Sequence, residues 1–259
     1  MKKFKAKGLL LIQTSALGAA CLILLMLLAF DAAAEELPSD KFIFSQLSHG
    51  GSWDPYPGAH GMIDYYLSNT TSLDMYPERN ILTLTDKDLF YFPFLLFTGR
   101  GAYPDFTEAE IVNLRRYLRG GGILFIDTGG DTDFASSVEK TFRKVFPDKN
   151  FTKIPDDHAV YRSFYLIDYV SGRNITRPFL TGMEVESRIA VIKSENDLPG
   201  VWPGDKAGNW HYSLVPGRPG QRKEALKLTL NILVYSVSGT YKSDKVHQPD
   251  IKRKLRRGR

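Results

Sequence analysis

Three glycine-rich turns hold most of the chemistry this sequence offers. His49-Gly50-Gly51-Ser52-Trp53-Asp54-Pro55, Thr98-Gly99-Arg100-Gly101 and Asp127-Thr128-Gly129-Gly130-Asp131-Thr132-Asp133 each follow a short apolar run. Glycines let backbone N–H groups approach an anion, Arg100 adds a fixed cation, and carboxylates can act as bases or hold a metal. The candidate ligand-binding residues are therefore Gly50, Gly51, Ser52, Trp53, Thr98, Gly99, Arg100, Asp127, Thr128 and Gly129, and the candidate catalytic groups are Asp127, His158 and Asp54. A competing reading stands beside this one: turns between strands and helices need glycine for positive φ whatever they bind.

Histidine and metal chemistry is less well provided for. His49, His60, His158, His211 and His247 form no His-x-x-x-His or His-Glu-x-x-His pair, so no zinc site is written locally. Folding can bring His49, His60 and His158 to Asp54 or Asp127 as a metal or acid–base cluster. Otherwise His158, within Pro155-Asp156-Asp157-His158, is a turn histidine bonded to backbone. Asp131-x-Asp133 matches half of a calcium loop but lacks the later ligands, and fits better as the N-cap of a following helix. No metal site and no cofactor is assigned. Trp53, Tyr56, Tyr65, Tyr66, Trp202, Trp210 and Tyr212 either line a groove for a sugar or peptide or pack in cores and interfaces.

Positioning these turns falls to an alternation of short apolar runs and helical patterns, the signature of parallel strands joined by crossover helices. The predicted strands are Phe42-Ile43-Phe44, Ile81-Leu82-Thr83-Leu84, Phe94-Leu95-Leu96-Phe97, Ile123-Leu124-Phe125-Ile126 and Ile189-Ala190-Val191-Ile192. Their near-continuous apolarity predicts cover on both faces. The clearest helix starts at Thr107 with a Ser/Thr-x-x-Glu capping box to Glu110. It buries Ile111, Leu114 and Leu118 and ends at Gly120-Gly121-Gly122. Others are predicted over 58–68, 134–146 and 221–237. Residues 196–220, rich in Gly and Pro, read as a long surface loop.

The ends of the chain differ from its middle. Lys2, Lys3, Lys5 and Lys7 precede the uncharged segment Gly8–Phe30, and Ala32 and Ala34 follow with a leader-peptidase spacing. Residues 1–34 are thus a signal peptide cleaved near Ala34 or a retained membrane anchor, and either sends the rest across the membrane. An α/β domain is expected over 35–239 and a basic tail over 240–259. The head contributes +4 and the tail +6 to a formal net charge of +5, leaving the body near −5. An acidic body excludes a nucleic-acid groove, which needs a basic stripe on the folded face. The 259 residues are 43% hydrophobic and 24% charged, which excludes collagenous and disordered classes, and Cys21 lies in the apolar run, so the body has no disulfide or thiolate. The tail either is solvated or meets anionic lipid or an acidic partner.

Seven segments together resemble one bacterial family. They are Gly50-Gly51-Ser52-Trp53, Thr71-Ser72-Leu73, Leu89-Phe90-Tyr91-Phe92-Pro93-Phe94-Leu95-Leu96-Phe97-Thr98-Gly99, Leu114-Arg115-Arg116-Tyr117-Leu118, Gly121-Gly122-Ile123-Leu124-Phe125-Ile126-Asp127, Asp157-His158-Ala159-Val160-Tyr161-Arg162-Ser163-Phe164-Tyr165 and Thr240-Tyr241-Lys242-Ser243-Asp244-Lys245-Val246-His247. In that order they resemble the domain of unknown function 4159 family of the class I glutamine-amidotransferase-like superfamily. The resemblance implies a single flavodoxin-like α/β domain with a mostly parallel sheet flanked by helices. It also implies association with MoxR-type ATPases and von Willebrand-A-type envelope proteins. In catalytic relatives of the superfamily the strand equivalent to Ile123-Leu124-Phe125-Ile126 ends in a sharp turn bearing a nucleophilic cysteine. Here the neighbourhood reads Asp127-Thr128-Gly129, so the thioester route to glutamine hydrolysis is closed, and Thr128 would need an adjacent base. The expected protein is a non-catalytic, exported domain, periplasmic or anchored in the inner membrane, that binds a ligand or partner in the bacterial cell envelope. The alternatives are an envelope hydrolase using Asp and His, with or without a divalent metal, and a structural subunit of a membrane complex.

Overall fold

A computed structural model describes residues 41–238. The apolar segment Gly8–Phe30, the junction near Ala34 and the basic tail from Thr240 lie outside the described residues. Among the described residues, no helix is long and apolar enough to cross a membrane.

The chain folds into a mixed α/β domain. Among the described residues seven strands form one sheet: β1 (Ser45–Leu47), β2 (Asn80–Leu82), β3 (Phe94–Thr98), β4 (Ile123–Asp127), β5 (Thr152–Lys153), β6 (Thr181–Val185) and β7 (Arg188–Ser194), in the order β2-β1-β3-β4-β7-β6-β5. The five strands from β2 to β7 run parallel. β6 and β5 continue the sheet antiparallel. The helices are α1 (His60–Thr70), α2 (Glu108–Arg119), α3 (Thr132–Val145) and α4 (Gln221–Ser238).

Side-chain alternation along the central strands divides the core between two layers. Phe94 and Leu96 of β3, with Ile123 and Phe125 of β4, pack among residues of α1 and α4 such as Ile63 and Leu233. Leu95 and Phe97, with Leu124 and Ile126, pack among residues of α2 and α3 such as Leu114 and Phe142. Burying each of these side chains stabilises the fold by roughly 1.5–3 kcal/mol. The capping box at Thr107 is present, with Thr107 Oγ1 accepting from Glu110 N and Glu110 accepting from Thr107 N. Asp131 caps α3 by accepting from Phe134 N at 2.8 Å.

One expectation needs correction. Phe42-Ile43-Phe44 precedes the first strand instead of forming it. Phe42 makes only an isolated bridge to Met75, and β1 occupies the more polar Ser45–Leu47. The sheet also has an antiparallel wing that the apolar runs do not announce. β6 turns into β7 through Glu186 and Ser187, both at positive φ (49° and 65°), the conformation of a tight hairpin turn that Asn-Gly usually advertises.

Candidate functional site

Because β1, β3 and β4 are parallel neighbours, the turns that follow them must emerge at one edge of the sheet. They do meet. Arg100 N donates to Ser52 O at 2.9 Å, joining the first turn to the second, and Gly101 N donates to Asp131 Oδ2 at 3.0 Å, joining the second to the third. His49 stands beneath them. Its Nδ1 accepts from Gly51 N and its Nε2 lies 3.1 Å from Thr98 O, so Nε2 carries the proton. Burial holds its pKa below the ordinary histidine value.

The meeting leaves almost no space. A Cβ on Gly99 would lie 2.8 Å from the Phe134 ring and 2.9 Å from Ser52 O, and one on Gly129 would lie 2.5 Å from Arg100 Nη1. Arg100 closes the junction itself. Its Nη2 donates to Tyr56 Oη at 2.7 Å, Tyr56 Oη donates to Asp197 Oδ2 at 2.7 Å, and Arg173 Nε also binds that oxygen. The Asp197 side chain is only 3% exposed. Burial, reinforced by Asp197, pushes the Tyr56 pKa up to about 12, so the phenol remains a donor.

Asp127 is fully buried. Its Oδ1 accepts from Gly129 N at 2.7 Å and Asp197 N at 3.1 Å, and its Oδ2 accepts from Leu198 N at 2.8 Å. Burial, then the charge of Asp197, raises its pKa to about 7 against the pull of those N–H bonds. Such a carboxyl fastens the turn after β4 to the turn after β7 and faces no opening.

The other candidate catalytic groups lie elsewhere. Asp54 forms a bidentate pair with Arg79 at 2.8 and 2.9 Å, and Arg79 also donates to Gln46. Between Asp54, His60, Arg79 and Trp202 is a void of about 10 Å³, room for about one water. The Nδ1 of His60 has no hydrogen-bond partner, and burial, then Arg79, lowers the pKa of this ring. His158 caps the short 3₁₀ turn Ala159–Tyr161 through Nδ1 and packs edge-on against Tyr235 of α4. Among the described residues, no three His, Cys, Asp or Glu side chains are grouped to hold a metal. The aromatic residues pair off with one another and with cations: Tyr56 with Tyr212, Tyr66 with Trp210, and Arg222 over Trp210 at 4.4 Å.

An open site does exist, beside the closed junction. A groove of about 600 Å³ lies between α3 and the outer strands, with Thr128, Gly130 and Asp131 of the third turn at its end. Thr132, Ala135, Ser136 and Glu139 form one wall, spaced as a single helical face. Thr181 of β6 and Lys193 of β7, cross-strand partners, lie on the sheet side, and Arg177 and Glu195 stand beyond them. Sequence reasoning reached only the end formed by Thr128. The polar face of α3 and a lysine ending the apolar run of β7 were the available signals, and both resemble ordinary solvated positions.

A family model described as Domain of unknown function (DUF4159) matches residues 43–237. Among curated proteins, none matches.

Proposed function

Because the chain belongs to the DUF4159 family, whose description carries no activity, we propose its function from the site: an exported, non-catalytic α/β domain that binds a ligand or partner protein in the bacterial cell envelope. One observation supports this above others. The acid–base groups at the sheet edge are spent on one another, Asp127 in a buried cradle of N–H donors and Asp197 between Tyr56, Arg100 and Arg173, while the adjacent groove stays open. A nucleophile or general base must reach the reacting atom, and Asp127 is fully buried.

The finer fold reading also belongs here. The order β2-β1-β3-β4-β7 is the flavodoxin-like order 2-1-3-4-5 with β7 in fifth place. It supports a class I glutamine-amidotransferase-like domain without the cysteine nucleophile. Export rests on Lys2–Lys7 and the uncharged segment Gly8–Phe30.

The test is a turnover screen. The full chain in detergent is given chromogenic glycosides, esters, phosphate esters and peptides, in parallel with Asp127→Asn and Asp54→Asn. No turnover above the variants is expected. Hydrolysis that either substitution abolishes would establish the hydrolase instead.

A second reading, a structural subunit of a membrane complex, has its own support. Ile81 on the edge strand, Phe90, Tyr91 (80% exposed) and Val112 are large apolar side chains left in solvent, and the adjacent Phe90 and Tyr91 form a small exposed patch. Under this reading, cross-linking from a residue at this patch captures MoxR-type or von Willebrand-A-type proteins from membranes. Tyr91→Asp abolishes the capture.

A further inference from the structure

We infer that the groove between α3 and the β6–β7 hairpin is a binding site for a neutral, polyhydroxylated ligand, a saccharide. This inference deepens the binding-domain reading and rests on it.

Its size and stiffness fit a small molecule. The volume of about 600 Å³ falls within the roughly 300–1,000 Å³ of small-molecule sites. Both walls are held in place without a ligand. The Asp131 cap fixes the start of α3. On the other side, Asn196 pins the segment bearing Arg177: its Oδ1 accepts from Thr176 N at 2.9 Å and Arg177 N at 2.7 Å, and its Nδ2 donates to Arg177 O at 2.6 Å. A wall already in place costs less to organise on binding.

Charge selects the ligand class. The lining holds three carboxylates, Asp131, Glu139 and Glu195, and two cations, Lys193 and Arg177. Lys193 is paired with Glu139, and Arg177 with Glu195 at 3.1 Å. Asp131 stands at the α3 N-terminus, accepting from Phe134 N and Gly101 N, where an anionic ligand would otherwise sit. An anion therefore meets an occupied helix end and a lining one charge negative. A cation can gain a carboxylate only by breaking an ion pair or the cap. A neutral ligand leaves both pairs intact.

Hydrogen-bonding capacity narrows it further. Each ion pair presents a carboxylate oxygen beside N–H donors, an alternation that suits a hydroxyl, which both donates and accepts. Thr128 Oγ1 and Thr181 Oγ1 are buried with no hydrogen-bond partner, a rare condition for a hydroxyl. Both residues line the groove, where a ligand hydroxyl would supply the missing partner. Phe151 is the one aromatic ring in the lining and already carries Lys193 Nζ over its face at 4.3 Å, so the apolar surface is too small for a lipid chain.

The experiment is saturation-transfer difference NMR on the full chain, held in amine-oxide micelles because these lack sugar headgroups. The probes are neutral trisaccharides with glucose, N-acetylglucosamine, mannose and galactose units, with methyl phosphate and spermidine as charged controls. Transfer to at least one trisaccharide, with a dissociation constant of about millimolar or tighter, is expected, and none to the controls. Ser136→Trp, on the exposed surface of α3, fills the groove and is expected to weaken binding at least tenfold. Glu139→Gln, which removes an acceptor and an ion-pair partner, weakens it as well while the melting temperature stays within a few degrees. Transfer to methyl phosphate or spermidine in place of the trisaccharides overturns the inference, and so does silence from all four trisaccharides. A trisaccharide that binds Ser136→Trp and Glu139→Gln as well as wild type removes the groove but leaves the binding-domain reading standing. Turnover of the chromogenic substrates removes that reading instead.

Discussion

The edge of this sheet has two neighbouring regions built from the same kind of turn, and they have opposite fates. Where the turns after β1, β3 and β4 meet, Arg100, Tyr56, Asp197 and Arg173 bind one another and fill the space. One strand further along, polar side chains of α3, β6 and β7 border an open groove. Glycine turns at strand ends bring backbones together, but they do not decide whether a cavity remains. That depends on the side chains arriving from outside the turns. At the closed junction these come from Tyr56 in the first loop and from Arg173 and Asp197 in late segments. At the groove, Asn196 holds the late segment back against the chain after β7.

The largest expected effect probes the closed junction through pH. Asp127 has its pKa raised from 3.8 to about 7, by burial first and the Asp197 charge second. The folded state therefore binds a proton that the unfolded state has released over that interval, so this group's contribution is full below about pH 4 and is lost as pH rises through 7. Stability should fall by an amount on the order of 3 kcal/mol between pH 4 and 7 relative to Asp127→Asn, read as the difference between the two denaturation curves. Parallel curves would mean that Asp127 is not the buried proton holder of the junction.

Next in size is the charge at the centre of the junction. Asp197→Asn keeps the shape, and asparagine tolerates the positive φ of 57° found there, but it leaves Arg173 and Arg100 facing a neutral group. Those arginines are partly exposed, so the loss is set below that of a fully buried pair, about 2–3 kcal/mol in urea denaturation. Saccharide binding in the groove should persist in the folded fraction. Equal loss of both would show that the two regions are one unit.

Gly129→Ala is smaller. The residue sits at φ +57° and a Cβ would meet Arg100 Nη1 at 2.5 Å. The backbone cost is roughly 1–2 kcal/mol, and Arg100 must shift against its bonds to Tyr56 and Asp197 to admit the methyl. Melting temperature measures the loss.

How much of this could be read from the letters follows the same division. β3, β4 and β7 lie where apolar runs placed them, since a fully covered strand must be apolar on both faces, and the Thr107 and Asp131 caps are local patterns with local causes. The meeting of the three turns was legible because parallel order dictates it. The closure was not, because Asp197 lies 70 residues from Asp127 in sequence and inside a stretch read as surface loop. The hairpin that builds the far side of the groove was hidden too, since Glu186-Ser187 lacks the glycine that normally marks such a turn.

The smallest expected effect separates the two regions most sharply. Thr128 and Thr181 each bury a hydroxyl that no protein group engages, and such a group costs stability because its water hydrogen bonds are not replaced. Valine has nearly the same shape without that oxygen. Thr181→Val and Thr128→Val are therefore expected to leave stability unchanged or raise it by up to about 1 kcal/mol, seen as a small rise in denaturation midpoint, while weakening trisaccharide binding several-fold. At the closed junction every polar removal should destabilise. A polar removal that stabilises the fold and harms binding identifies a group kept for something other than folding. If the valine variants instead lose stability, these hydroxyls are part of the scaffold and the groove loses two of its proposed contacts.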